Sequence, residues 1–179
     1  MVLLMAVNRG KKFEEVIRTA FEKVPNVSID RLHDQTTGFK GSQNICDFIV
    51  YREPYEYYFE CKSVHGNILP FSNITDTQWN GLLEKSKIEG VFAGIICWWI
   101  DKDITLFIRI EYLEHLQANG YKSLKIREQE IAGRFDIVNM NTKSIYVIPI
   151  KGKKKRIFFE YDMEVFLNEY TNRYSTGSL

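Results

Sequence analysis

Residues 45–63, ICDFIVYREPYEYYFECKS, read as two strands joined at Glu53-Pro54, and the fold follows from how they pair. Side chains alternate across a strand, so Asp47, Ile49 and Tyr51 share one face. On the returning strand Tyr58, Glu60 and Lys62 share a face, while Phe59 and Cys61 take the other. A turn centred between Pro54 and Tyr55 sets Asp47 opposite Lys62 and Ile49 opposite Glu60. Asp47 and Glu60 are then diagonal neighbours, roughly 7–8 Å apart or less at Cβ. The grouping depends on register, because a slip of one residue turns every side chain to the opposite face.

Two carboxylates this close repel each other, and a hard, oxygen-seeking cation such as Mg²⁺ relieves the repulsion. Such a cation polarises a phosphodiester and lowers the pKa of a bound water. A lysine beside it is suited to orient that water or to offset charge on the phosphorane. Asp47, Glu60 and Lys62 are therefore the candidate catalytic residues. Asp47 and Glu60 are candidate metal ligands, and the Cys61 backbone carbonyl is placed to be a third. An E-x-K pattern also arises by chance, and alternating charge is what a solvated sheet face shows, so both readings stand at this point.

Working outward, Phe13, Val16, Ile17, Ala20, Phe21 and Val24 fall at helical spacing and predict a helix over 12–24, closed by Pro25. Glu14 borders its apolar side and is positioned to reach toward Asp47. Residues 26–45 are polar and loop-like. A second helix is expected at about 76–87 with Trp79, Leu82 and Leu83 inward. Gln78, near its start, is placed to offer an amide oxygen to a metal or a contact to phosphate. The apolar run Val91–Trp99 suits a strand covered on both faces. A strand at 105–110, a short helix at 110–118, a hairpin of 144–150 with 157–161 and a helix near 163–170 complete the chain. Helix, strand, strand, helix, strand, strand is the order of a mixed α/β sheet flanked by helices. It reads as a single domain over 1–179, with a core of about 8–118 and the C-terminal hairpin and helix at about 119–179.

Hydrophobic residues make up 45% and charged residues 26% of the chain, which excludes a disordered protein. Cys46, Cys61 and Cys97 sit inside apolar runs without zinc-site spacing and read as buried, reduced thiols. The apolar start, Met1–Val7, precedes its basic residues rather than following them. That is not signal-peptide order, and no run is long enough to span a membrane. A soluble cytoplasmic protein is expected, in a bacterial or phage-infected cell. The net charge of +1 is unevenly distributed, with five cations in residues 151–156. Lys151, Lys153, Lys154, Lys155 and Arg156 are candidate phosphate contacts or a solvated hairpin tip. Phe39 and Lys40, in the polar loop, are candidate DNA contacts, Phe39 by stacking. His33, His65 and His115 lack ligand spacing and are read as structural or surface residues.

The chain also resembles RecU-type Holliday junction resolvases, particularly the shorter phage-encoded members, within the PD-(D/E)XK nucleases. The resemblance runs in order through Asn8-Arg9-Gly10, Phe13-Glu14, Asp47, Glu60-Cys61-Lys62, Leu69 to Ile74 with Gln78, Gly90-Val91-Phe92 and Lys122 to Lys125. The thirteen-residue step from Asp47 to Glu60 matches the family. It implies a restriction-endonuclease-like core and a homodimer that binds four-way DNA junctions and nicks two strands symmetrically with Mg²⁺ or Mn²⁺, in recombination and repair. It places Asp47, Glu60 and Gln78 near the metal, with Lys62 as catalytic lysine and Glu14 as a supporting acid. Cellular members carry a long stalk before the metal aspartate and a basic N-terminal arm, and both are short here. They also have threonine where this chain has Ile45. A sequence-reading restriction or nicking nuclease on the same core is the alternative, followed by a non-catalytic DNA-binding protein. Because a junction is two-fold symmetric, two chains are expected, with the apolar Val2–Val7 segment packing across the dimer.

Overall fold

The computed structural model describes residues 9–32, 44–126 and 146–175, and for 172–175 the backbone only. Helix α1 (Arg9–Glu22) buries Phe13, Ile17, Ala20 and Phe21, one stripe at helical spacing. Strands β1 (Ser28–Arg31), β2 (Phe48–Arg52) and β3 (Tyr55–Val64) form a meander. Strand β4 (Ile68–Pro70) leads into α2 (Asp76–Ser86), β5 (Val91–Trp99), β6 (Ile104–Arg109) and α3 (Ile110–Ala118). Strands β7 (Ser123–Lys125), β8 (Val147–Pro149), β9 (Gly152–Lys154) and β10 (Phe159–Tyr161) precede α4 (Met163–Ser175).

The main sheet has the order β1-β2-β3-β5-β6-β8, with β3 and β5 parallel and the other pairs antiparallel. The parallel step is the one spanned by α2, as the helix crossover requires. This is the mixed α/β sheet flanked by helices that the sequence order predicts. One face packs Phe13, Phe21, Phe59, Trp98, Phe107, Phe166 and Tyr170 between the sheet and helices α1 and α4. The other packs Tyr58, Leu69, Trp79, Leu82, Ile95, Trp99 and Leu113 against α2 and α3. Strand β5 lies in both layers, which is why its sequence is continuously apolar. Gly94 permits its close contact with β6, since a Cβ there would sit 2.1 Å from the Ile108 carbonyl oxygen.

Two segments differ from expectation. Part of the polar interval 26–45 forms the edge strand β1, paired antiparallel to β2. Its four residues are mostly exposed, so they show none of the apolar alternation that marks a half-buried strand. The last hairpin also pairs differently: Val147–Pro149 joins the main sheet beside β6, and the partner of β10 is β9. Val147 and Ile148 are buried by that pairing, while Pro149 has no N–H to extend a ladder. Lys153 and Lys154 consequently lie within a strand, and the turn is at 155–158, where Lys155 N–H donates to the Phe158 carbonyl.

Candidate active site

Asp47 directly precedes β2 and is held by backbone on both sides. Its N–H donates to the Phe59 carbonyl at 3.0 Å, and its carbonyl accepts from Leu32 N–H at 2.9 Å. Its carboxylate Oδ2 accepts from the Cys61 N–H at 2.7 Å. The observed register pairs Ile49 with Tyr58 and Phe48 with Phe59, which continues to Asp47 opposite Glu60. The turn therefore sits one position earlier than the sequence arithmetic placed it, and the register differs by two. A shift of two preserves the face, so the three residues stay together and Asp47 and Glu60 become direct rather than diagonal partners.

Glu60 is buried, with a side chain 5% exposed, and its Oε1 accepts from Lys62 Nζ at 2.7 Å. Residues 60 and 62 share a face of β3, which brings the lysine back onto the glutamate. Gln78 enters from the first turn of α2. Its Nε2 donates to Glu60 Oε1 at 2.7 Å, and its Oε1 accepts from Lys62 Nζ at 3.3 Å. Thr75 caps α2 and forms a capping box with Gln78, a residue that sequence reasoning passed over although T-x-x-Q at 75–78 is its signature. The amide end facing Glu60 is the NH₂, and the amide oxygen accepts from the Thr75 N–H and from Lys62.

Burial is the largest influence on both acids. It pushes the Asp47 carboxyl up to about 7, with the Glu60 charge adding to the rise and the Cys61 N–H and Lys62 opposing it. Burial likewise raises Glu60, against the lowering effect of Lys62. Such a pair lacks positive charge, and a divalent cation supplies it. The donor set fits: two carboxylates, with the Cys61 carbonyl directed, like its N–H, to the β2 side of the strand. No three His, Cys, Asp or Glu side chains converge as a metal cluster among the described residues. The set suits a cation that keeps waters and takes substrate oxygens, as Mg²⁺ does. The Cys61 thiol lies on the opposite face in the aromatic core, where burial raises its pKa well above the ordinary value.

Glu14 lies close enough for its charge to act on the cluster. It pairs with Arg31 of β1 at 3.2 Å, and its charge is felt at Glu60 and Cys61. The basic segment carries several ion pairs. Lys154 pairs with Asp103, Lys155 with Glu160 at 2.8 Å, and Lys151 with Glu169 at 3.0 Å. Lys153 and Arg156 are exposed and have no carboxylate partner among the described residues. Asp103 lies in the β5–β6 connection, at the end of the sheet toward which β3 carries Lys62, whereas Phe159 and Tyr161 of the hairpin pack on the α1 face, opposite the face of Glu60 and Lys62. His65 hydrogen-bonds Asp101 at 2.9 Å on the surface, and His115 lies within 3.4 Å of Asn119. Phe39, Lys40, His33 and the Val2–Val7 segment lie outside the described residues.

No family model matches the chain, and no curated protein matches it. Among solved structures it is similar to the 1.6 Å structure of Archaeoglobus fulgidus Hjc, a Holliday junction resolvase from an archaeal hyperthermophile. The identity is 18% and the TM-score 0.48, over 69% of this chain and 92% of that one. At that distance the functional reading rests on the geometry of the cluster itself. No helix among the described residues is long and apolar enough to cross a membrane.

Proposed function

We propose that the chain is a divalent-metal-dependent DNA endonuclease that resolves four-way junctions by paired nicking. The observation that carries the nuclease reading is the pair of buried Glu60 and half-buried Asp47, directly opposite each other, with Lys62 bonded to Glu60. A fold does not retain a buried, mutually repelling carboxylate pair for stability. Asp47, Glu60 and the Cys61 carbonyl would hold Mg²⁺ or Mn²⁺, which supplies Lewis-acid polarisation of the scissile phosphate and a more acidic water. Lys62 orients the attacking water and offsets negative charge on the phosphate oxygens. Glu60 fixes the lysine through their 2.7 Å bond. Arg31 holds Glu14 at the rim, where its charge adds to the local demand for a cation. The exposed hairpin cations are suited to contact backbone phosphates of bound DNA.

The preference for junctions and the paired cut follow from the family resemblance together with symmetry. The one such cluster among the described residues would nick one strand, so two opposed nicks call for two chains. The test is to incubate the protein with a synthetic four-way junction, a linear duplex and a single strand, each with Mg²⁺ or EDTA. Symmetric nicking of the junction alone, abolished by EDTA, is expected. Equal cutting of the duplex at a fixed sequence would favour the restriction-type alternative, and cutting in EDTA would remove the metal from the reading. Light scattering should give about twice the 21.1 kDa chain mass.

A further inference from the structure

The amide of Gln78 has an oxygen at one end and a donor at the other, and only one of them can face Glu60. We propose that Thr75 decides which, making it a positioning residue that sets Gln78 as a hydrogen-bonded clamp on Glu60 and Lys62 rather than as a metal ligand. The proposal rests on the nuclease reading for its catalytic consequence. Its geometry stands on two groups that can only donate, both directed at the Gln78 oxygen. The Thr75 backbone N–H can only donate, and it lies 3.0 Å from Gln78 Oε1. The Lys62 ammonium can only donate, and it lies 3.3 Å from the same oxygen. With the oxygen so held, Gln78 Nε2 is turned to Glu60 and donates to its Oε1 at 2.7 Å. Turning the amide over would set NH₂ against two donors and an oxygen against a carboxylate.

Thr75 contributes twice, because its Oγ1 also accepts from the Gln78 N–H at 3.2 Å and holds the Gln78 backbone in the first turn of α2. The helix cap and the catalytic face are thereby one hydrogen-bonded unit. Lys62 has three donors. One goes to Glu60 and one to Gln78, which aims the third. The amide oxygen that a cation would need already receives two donors. The protein ligands for a cation then reduce to Asp47, Glu60 and the Cys61 carbonyl.

A double-mutant cycle on junction cleavage with Mg²⁺ tests this, with full-length Thr75→Val, Gln78→Met and the double variant. Acting through Gln78, Thr75→Val should lower kcat by about tenfold, with KM changed by less than about twofold. The double variant should match Gln78→Met alone, and Thr75→Ser should restore the rate. A melting temperature lowered by Thr75→Val in both backgrounds would report only the lost helix cap, so the coupling in kcat is the deciding quantity. An additive loss in the double variant, or a wild-type kcat in Thr75→Val, would overturn the proposal. A second measurement does not depend on cleavage. In the metal-free wild type, NMR should show a Gln78 side-chain amide proton protected from solvent exchange, still protected at saturating Mg²⁺ and released in Thr75→Pro, which removes the backbone N–H that Thr75→Val keeps. Loss of protection on adding Mg²⁺ would mean that the oxygen has turned to the cation, and the clamp fails. If the wild type cuts no DNA, the nuclease reading falls while the amide signals still decide the clamp.

Discussion

Lys62 and the lysines of the β9–β10 hairpin make the same bond, ammonium to carboxylate, in opposite surroundings. The Lys62 and Glu60 side chains are 20% and 5% exposed, whereas those of Lys155 and Glu160 are 55% and 49% exposed. In the first setting desolvation outweighs attraction, and the pair persists only because further hydrogen bonds satisfy it. In the second, water and salt screen the charges and either partner is exchangeable. The buried pair is therefore suited to chemistry, where a fixed geometry matters. The exposed pairs suit contact, where a lysine can leave a glutamate for a phosphate.

The largest effect expected from this contrast lies in the buried pair. Asp47→Asn or Glu60→Gln should lower Mg²⁺-dependent cleavage by roughly 10³-fold, with junction affinity unchanged or tighter because a negative charge facing phosphate has gone. Retained metal-dependent cutting in a gel assay would break the assignment. Lys62→Ala should reduce the rate by ~10²-fold or more while Mn²⁺ binding by calorimetry persists, since lysine is no ligand. Loss of Mn²⁺ binding would instead make the lysine part of the metal-binding scaffold.

Stability should carry the signature of the same burial. An Asp carboxyl titrates near about 3.9 in an unfolded chain, and that of Asp47 rises to about 7 in the fold. The folded state thus holds the proton more tightly. The stabilisation is complete below about pH 4 and is lost as pH climbs through about 7. Glu60, also raised, acts in the same sense. Glu15, Asp101 and Glu160 are lowered by their hydrogen bonds and act oppositely, but only at more acidic pH. Metal-free protein should accordingly resist urea better near pH 5 than near pH 8, by on the order of a few kcal/mol. Asp47→Asn should remove most of that difference, and equal stability at both pH values in the wild type would contradict the burial.

The smallest effect belongs to the exposed cluster. Reversing charge at Lys153, Lys154 and Lys155 should leave the melting temperature nearly unchanged and weaken every DNA form alike. The slope of log affinity against log salt should flatten by about 0.9 for each phosphate no longer neutralised. An unchanged slope would make the hairpin a solvated loop.

Strand alternation showed in the sequence which residues share the face with Lys62, because that depends only on the parity of the turn. It could not place the turn itself: Glu53, Pro54 and Tyr55 are all compatible with neighbouring centres, and the structure pairs Phe48 with Phe59. Strand β5 was legible because both its faces are dry. Strand β1 was not, since Ser28, Asp30 and Arg31 face water and the strand is specified by β2 rather than by its own pattern. The role of Gln78 in the helix cap was written in Thr75-x-x-Gln78, but which end of the amide meets Glu60 is settled only by three partners from three elements. The neutralisation of Lys154 by Asp103 joins residues far apart in the chain and had no local trace.

The two-residue turn between Arg52 and Tyr55 has an evolutionary consequence. Thirteen is an odd step, and with an even turn an odd step keeps Asp47 and Glu60 on one side of the sheet. Codons gained or lost at Glu53-Pro54 in pairs leave the cluster assembled. A single codon sends Glu60 and Lys62 to the aromatic layer and draws Phe59 and Cys61 out, unless a bulge absorbs it. Drift in the length of this hairpin is thus quantised in steps of two.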